Sequence, residues 1–211
     1  AGGRAVAVPA DLSDPAEVST VVARAEEALG PVDTLVNNAG VNFYGPALDV
    51  SERRYALMFQ IMVHATFRLC QLAVPGMVAR GRGWVLNITS KQARHPLGPP
   101  YPDWSRDGCV PYGMCKAAID RLTTGLAAEL EGTGVGVSCL CPELVDTLIF
   151  ESGRSAPPEL GIPTPAPVDI RQIEQWMSTV AMDPADVAAD VADAVKANRF
   201  WIITHQVTQE R

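Results

Sequence analysis

The stretch VPYGMCKAAIDRLTTGLAAELEGTGVGVSCLCP, residues 110–142, holds two elements of different kind in immediate succession. Its first part reads as a helix over about 109–131, ended by Gly132-Thr133-Gly134. The apolar run VGVSCLC follows as a short strand, and Pro142 stops it because proline has no N–H to give a ladder. Working outward, the same pair recurs. GWVLNITS (83–90) is a strand, preceded by a long helix over about 51–80 that ends in ARGRG. VDTLVNNAG (32–40) is a buried strand running into a glycine turn. DPAEVSTVVARAEEALG (14–30) is a helix with Pro15 in its first turn, acids around its start and Gly30 at its stop. RAVAVPADL (4–12) is a first short strand. Downstream come a proline-rich stretch over 148–168, a short helix near 169–180, an amphipathic helix over 183–198 and a last strand, RFWIITH, at 199–205.

Short apolar strands alternating with helices predict an α/β protein with a parallel sheet covered on both faces. Crossovers of this type are right-handed, which favours a Rossmann-like, doubly wound, three-layer α/β/α arrangement. No repeat or linker interrupts residues 1–211, so one domain is expected. The proline-rich region, about 148–180, follows a strand's carboxyl end, where ligands bind in such sheets, and reads as a substrate loop with Phe150, Trp176 and Met177.

Composition narrows the class. The chain is 47 % hydrophobic and 19 % charged, ordinary for a soluble globular domain. A net charge of −7 argues against a nucleic-acid partner. No unbroken apolar run reaches the roughly 18 to 20 residues of a membrane span. The N-terminus lacks the basic and apolar regions of a signal peptide. A cytoplasmic protein without membrane partners is the expectation. The five cysteines, Cys70, Cys109, Cys115, Cys139 and Cys141, form no CxxC pair, so no metal site is expected. Cys139 and Cys141, two apart on a strand, share a face and read as buried thiols. The long helix near 51–80 is apolar nearly all round, from Leu57 to Leu72, which calls for a second contact: another subunit, or loops of the same chain.

YGMCK (112–116) carries the sharpest chemical signal. Tyr112 and Lys116 are i and i+4 and share a helix face. A phenol with a pKa near 10 is a poor proton carrier at neutral pH, and a neighbouring ammonium lowers that value. With 4 Tyr in 211 residues, chance supplies about 0.06 Tyr–x3–Lys pairs, so the spacing needs context. Ser90, at the carboxyl end of a strand, can donate to a carbonyl oxygen that gains negative charge, or can simply cap a turn. In LVNNAG (35–40), Asn37 and Asn38 can satisfy backbone groups, while Ala39-Gly40 lets a flat ligand approach.

The order DLSD (11–14), NNAG (37–40), NITS (87–90), YGMCK (112–116) and CPELVDT (141–147) resembles the short-chain dehydrogenase/reductase family, and the resemblance runs from about residue 5 to 205. It implies an NAD(P)-dependent oxidoreductase passing hydride between nicotinamide and a carbonyl or secondary alcohol. It assigns Ser90 to polarise the substrate oxygen, Tyr112 to give or take the proton, and Lys116 to hold the nicotinamide ribose and tune the tyrosine. Asp11 matches the contact to the adenine amino group, with Leu12 beside it. Asn37, Ala39 and Gly40 match the turn near the adenosine ribose, and Val145 and Thr147 the contacts to the carboxamide. The implied cofactor is NAD or NADP, the partner a small carbonyl or alcohol, and the assembly a homodimer or homotetramer.

Four features depart from the family pattern. The glycine-rich strand–turn–helix that cradles the pyrophosphate has no counterpart; Gly2-Gly3 precede a strand, and the chain begins near the family's third strand. The expectation is an upstream segment, and a C-terminus trimmed soon after the last strand. Met62 stands where the family places a relay asparagine, and methionine carries no proton; water, or His64 two residues on, would have to substitute. Ser90 and Tyr112 are 22 apart rather than about a dozen, and the extra loop brings His95, Tyr101 and Trp104 to the mouth of the expected site. Glu143 replaces a glycine. Met62 and the missing glycine loop motivate an alternative: a catalytically weak or inactive nucleotide-binding relative.

Overall fold

The computed structural model describes residues 3–43, 47–94, 110–149, 175 and 178–204. Four parallel strands form its sheet: β1 (Thr34–Asn37), β2 (Gly83–Ile88), β3 (Val135–Cys141) and β4 (Trp201–Ile203), paired in that order. Five α-helices are delimited among the described residues: α1 (Pro15–Leu29), α2 (Glu52–Phe59), α3 (Ala65–Arg80), α4 (Val110–Glu129) and α5 (Pro184–Lys196).

Local chemistry sets the helix ends. Asp14 accepts from the Ala16 amide at 2.8 Å and Pro15 opens α1, while Gly30, at φ 92°, closes it. Asp183 and Pro184 start α5 in the same way. Between α2 and α3 the chain makes one π turn, Gln60–His64, inside an otherwise continuous helix.

The two faces of the sheet bury different helices. Val85, Val135 and Val137 meet Val22 of α1 and Cys70, Ala73, Val74 and Met77 of α3. On the other face Leu86, Leu140 and Ile202 meet Val187 and Ala194 of α5. The alternation Val85/Leu86 along β2 is the strand period of two, and it yields the three-layer α/β/α arrangement. Helix α4 lies against β3 and β2 on the α3 side. Trp84 crosses to β3, where its indole donates to Ser138 Oγ at 3.2 Å. Its ring lies where a Cβ on Gly136 would stand, so only glycine fits opposite it.

The strand expected over residues 4–12 does not form. Residues 3–11 have no regular structure and Val6 is 46 % exposed. A strand exists by pairing, and among the described residues β1 pairs only with β2, so the segment has no ladder to join. Side-chain bonds tie it to α1 instead: Arg4 Nη2 donates to Ala28 O, and Arg24 Nη1 to Pro9 O. Cys70, Cys115, Cys139 and Cys141 are buried free thiols. The loop residues His95, Tyr101, Trp104 and Cys109, and Phe150, Trp176 and Met177 of the proposed substrate loop, lie outside the described residues.

The helical run Glu52–Arg80 is long and apolar enough, by length and composition, to cross a membrane. Here it packs along the sheet with only 39 % of its most apolar window buried, and Phe67 is half exposed. Its surplus apolar surface is therefore not used up inside the described part of the chain.

Candidate active site

A cavity of about 550 Å³ opens at the carboxyl ends of β1, β2 and β3, bounded on one side by α5. Ser90, Tyr112, Lys116, Gly40, Val145 and Thr147 all line it. Residues spread over more than a hundred positions are thus gathered where a parallel sheet offers its ligand site.

Ser90 follows the end of β2, buried and extended. Its Oγ accepts from the Gln92 amide at 3.2 Å and caps the short 3-10 turn Lys91–Ala93. The capping reading is what the structure shows; the hydroxyl keeps a proton that the turn does not use. Tyr112 and Lys116 enter from the first turns of α4. Gly113 lets that helix approach so closely, since a Cβ there would stand 2.9 Å from Gln92 O.

Lys116 Nζ is buried, donates to Ile88 O at 2.8 Å and lies 5.4 Å from the centroid of the Tyr112 ring. Burial lowers its pKa from 10.5 to about 8, against the opposing pull of Cys115, Cys139, Asp120 and Cys141. Met62 is fully buried beside it: a methyl built on Gly40 would touch Met62 Sδ at 3.5 Å and Lys116 Nζ at 3.9 Å. A thioether, not an amide, therefore stands beside both the NNAG turn and the lysine. His64 is exposed and absent from the cavity wall, so it does not stand in for the missing asparagine.

Four of the residues assigned from sequence are not brought to the cavity. Asn37 is a buried sheet residue whose Nδ2 donates to Asn87 Oδ1 at 2.8 Å and Cys70 Sγ at 3.5 Å. Asn87 Nδ2 continues to Thr123 Oγ1 at 2.9 Å, and Thr123 to Ile119 O, stitching β1 and β2 to α4. Asp11 is exposed and accepts from the Ser13 amide at 2.8 Å in the turn before α1. Leu12 and the exposed Ala39 are likewise absent from the cavity wall.

Among the other lining residues, Asn38 and Glu143 were noted in the sequence without a cavity role, and Gln92 was not singled out at all. Asn38 takes the cavity side that its neighbour Asn37 leaves, as alternation along a strand requires. Gln92 presents a buried Oε1 with no hydrogen-bond partner among the described residues, an acceptor held beside Ser90. Leaving such an atom unpaired costs about 1–3 kcal/mol, which a donor on a bound ligand would recover. Glu143, in the place of the family's glycine, receives Lys91 Nζ at 2.6 Å at the cavity wall. Val145 bridges in parallel to Met182, and the amides of Asp146 and Met182 donate across that bridge, which seats the 142–147 segment against the start of α5.

This assembly has close counterparts. A family model described as short chain dehydrogenase matches residues 1–157. Ketoacyl reductase HetN of Nostoc is 32 % identical over 170 residues, covering 80 % of this chain and 56 % of the relative. Oxidoreductase UcpA of Escherichia coli is 35 % identical over 159 residues, covering 75 % and 57 %. The chain thus spans little more than half the length of these relatives. A crystal structure of a short chain dehydrogenase/reductase from Burkholderia phymatum in complex with NAD superposes with a TM-score of 0.81 at 29 % identity, over 95 % of this chain and 70 % of that one. With the match covering well over half its residues, the chain belongs to the short chain dehydrogenase family.

Proposed function

We propose that the protein is an NAD(P)-dependent oxidoreductase that interconverts a carbonyl and a secondary alcohol. The observation that carries this reading is the convergence of Ser90, Tyr112 and Lys116 on one cavity at the carboxyl end of a parallel sheet. The NAD complex of the Burkholderia phymatum relative supports the cofactor class. The residues present suit the nicotinamide end of a dinucleotide: a buried cationic donor in Lys116, the narrow Gly40 wall and the unpaired acceptor of Gln92. Lys116 would hold the ribose hydroxyls, and Val145 and Thr147 the carboxamide. Asp11, Leu12 and Ala39 are proposed for the adenosine half, while Asn37, bonded to Asn87 and Cys70, serves the sheet behind it. The bound dinucleotide supplies or accepts the hydride.

The chain's own groups manage the substrate oxygen. Ser90 donates its hydroxyl proton to that oxygen and fixes it as negative charge develops. Tyr112 delivers the phenolic proton in reduction, or removes the alcohol proton in oxidation. The ammonium of Lys116, facing the ring, favours the phenolate that the second direction needs. Apolar Leu86, Leu140 and Val187 line the remaining wall and suit a substrate with a hydrocarbon portion.

The test is turnover by the full-length protein of a panel of ketones and secondary alcohols with either cofactor. Tyr112→Phe is expected to cut kcat by about 10²- to 10⁴-fold with little change in cofactor affinity. Unchanged turnover in that variant would sink the mechanism. A second reading, nucleotide binding without turnover, is favoured by Met62, which offers no proton-carrying group beside Lys116. Tight cofactor binding with no activity on any substrate would select it.

A further inference from the structure

We infer that Asp120, Cys139 and Cys141 form a binding site for a thiophilic divalent cation of the zinc type, between α4 and β3 and next to Thr89 of the cavity wall. The spacing of the cysteines in sequence suggests no such site; the ligand set arises only when α4 packs on β3. Cys139 and Cys141 project from the same face of that strand, and α4 brings Asp120 over them. Oδ1 of Asp120 and the two sulfurs all lie within 4.8 Å of one another. Cys139 Sγ is 3.3 Å from that oxygen and Cys141 Sγ is 4.0 Å from it. In a tetrahedral centre with metal–sulfur bonds of about 2.3 Å and a metal–oxygen bond of about 2.0 Å, sulfur and oxygen ligands stand about 3.5 Å apart. The two observed sulfur–oxygen edges bracket that value, and the sulfur–sulfur edge lies within 4.8 Å, so the three ligands already stand at the scale of a tetrahedral centre.

The surroundings complete the set. Thr89 Oγ1 lies 3.0 Å from Cys141 Sγ and 3.6 Å from Cys139 Sγ, so its hydroxyl, or a water, can take the fourth position. Arg94 Nη2 binds the other carboxylate oxygen, Oδ2, at 2.8 Å, and its guanidinium stacks 4.1 Å over the Trp201 ring. That contact turns Oδ1 toward the sulfurs, as groups behind a metal ligand do. The carboxylate end reaches solvent: the side chains of Asp120 and Arg94 are 13 % and 41 % exposed. Two thiolates and two oxygens favour zinc or cadmium over magnesium or calcium.

Charge balances as well. Binding exchanges two thiol protons for one dication, forms two metal–sulfur bonds and releases two protons to solvent, with no redox change. Before and after, Arg94 and Asp120 offset each other. The charge facing Lys116 is unchanged, so occupancy is expected to stabilise the fold without requiring any change in turnover.

The test uses full-length protein, reduced and stripped of metal by a chelator, titrated with cadmium chloride. The expected result is a sulfur-to-cadmium ultraviolet absorption that saturates at one equivalent, with about two protons released per metal at neutral pH. Cys141→Ala is expected to abolish the absorption. Asp120→Asn, which keeps both core sulfurs and the side-chain volume, and Arg94→Gln are each expected to weaken binding by about 10- to 100-fold. Cys70→Ala and Cys109→Ala are expected to leave it intact. No saturable band at one equivalent overturns the proposal. So does a band that survives Cys141→Ala, or one whose affinity is untouched by Asp120→Asn.

Discussion

Lys116 is held at an energetic cost that pH can expose. Its ammonium is buried and its pKa is lowered from 10.5 to about 8. Below about pH 8 both the folded and unfolded states carry the proton, and the fold bears the whole penalty of burying it. Between about 8 and 10.5 the unfolded chain binds more protons, so this group's contribution rises with pH across that window and is lost again as pH falls from 10.5 to 8. Integrated over the window, the effect is about 3 kcal/mol at most. Lys116→Met removes the titration. Urea melts at pH 7 and pH 10 are therefore expected to favour the variant over the wild type more strongly at pH 7, and an identical difference at both values would refute the assignment. Residues of this kind were the legible part of the site. The i, i+4 spacing of Tyr112 and Lys116 and the strand-end place of Ser90 can be read directly because helix and strand periods fix them. Asn37 was not, because nothing in NNAG says which of two adjacent asparagines points into the sheet. The answer came from Asn87, fifty residues away, which accepts the hydrogen bond.

At the scale of elements, α4 and the turn at 91–93 set how near Tyr112 stands to Ser90. Gly113 is the point of contact, and the turn behind it cannot yield: Lys91 N is fixed to Pro142 O at 3.0 Å and Ser90 caps the turn from within. A Cβ on residue 113 would meet the backbone oxygen of Gln92 at 2.9 Å. Gly113→Ala is expected to lower stability by about 1–3 kcal/mol in urea melts, and to reduce kcat by shifting Tyr112. Gly125→Ala in the same helix is the contrast. Its Cβ would meet only the far end of the Arg121 side chain at 3.3 Å, so helix propensity dominates and a gain of about 0.5–1 kcal/mol is expected. Equal effects at the two glycines would show that helix propensity, not the contact with Gln92, governs position 113. Helix ends were legible because Asp14-Pro15 and Asp183-Pro184 carry their caps in the sequence itself. The strand expected at 4–12 shows the opposite case. Its apolar run satisfies a strand pattern, but pairing is a property of the neighbour, and β1 offers that run no ladder among the described residues. The π turn at 60–64 was invisible for a different reason: residues 57–72 are apolar nearly all round, so the change of face that it introduces breaks no pattern.

On the scale of the whole molecule, large apolar side chains among the described residues stand exposed on helices as well as on strand residues such as Val36 and Ile203, and those on α3 and α4 bear on assembly. Phe67 of α3 is 50 % exposed, and Val110 and Met114 of α4 are similarly open. Single exposed apolar residues are ordinary. Large ones on the two longest helices, one of which is apolar beyond what its contact with the sheet uses, suit a surface that a second copy covers. A stable interface needs about 800 Å² from each partner, which two helices of 16 and 20 residues can supply. We therefore expect the full-length protein to sediment as a dimer or tetramer at micromolar concentration. Phe67→Asp with Met114→Asp places two charges on that surface without touching a buried group, so it is expected to shift the species to monomer while far-ultraviolet circular dichroism stays native. A wild-type protein that sediments as a monomer, or a charged variant that remains assembled, would assign these helices a different partner surface. Activity gives a second readout. Ser90, Tyr112 and Lys116 all come from one chain and line one cavity, so a folded monomeric variant is expected to retain cofactor binding and to lose rate only as far as α4 loosens.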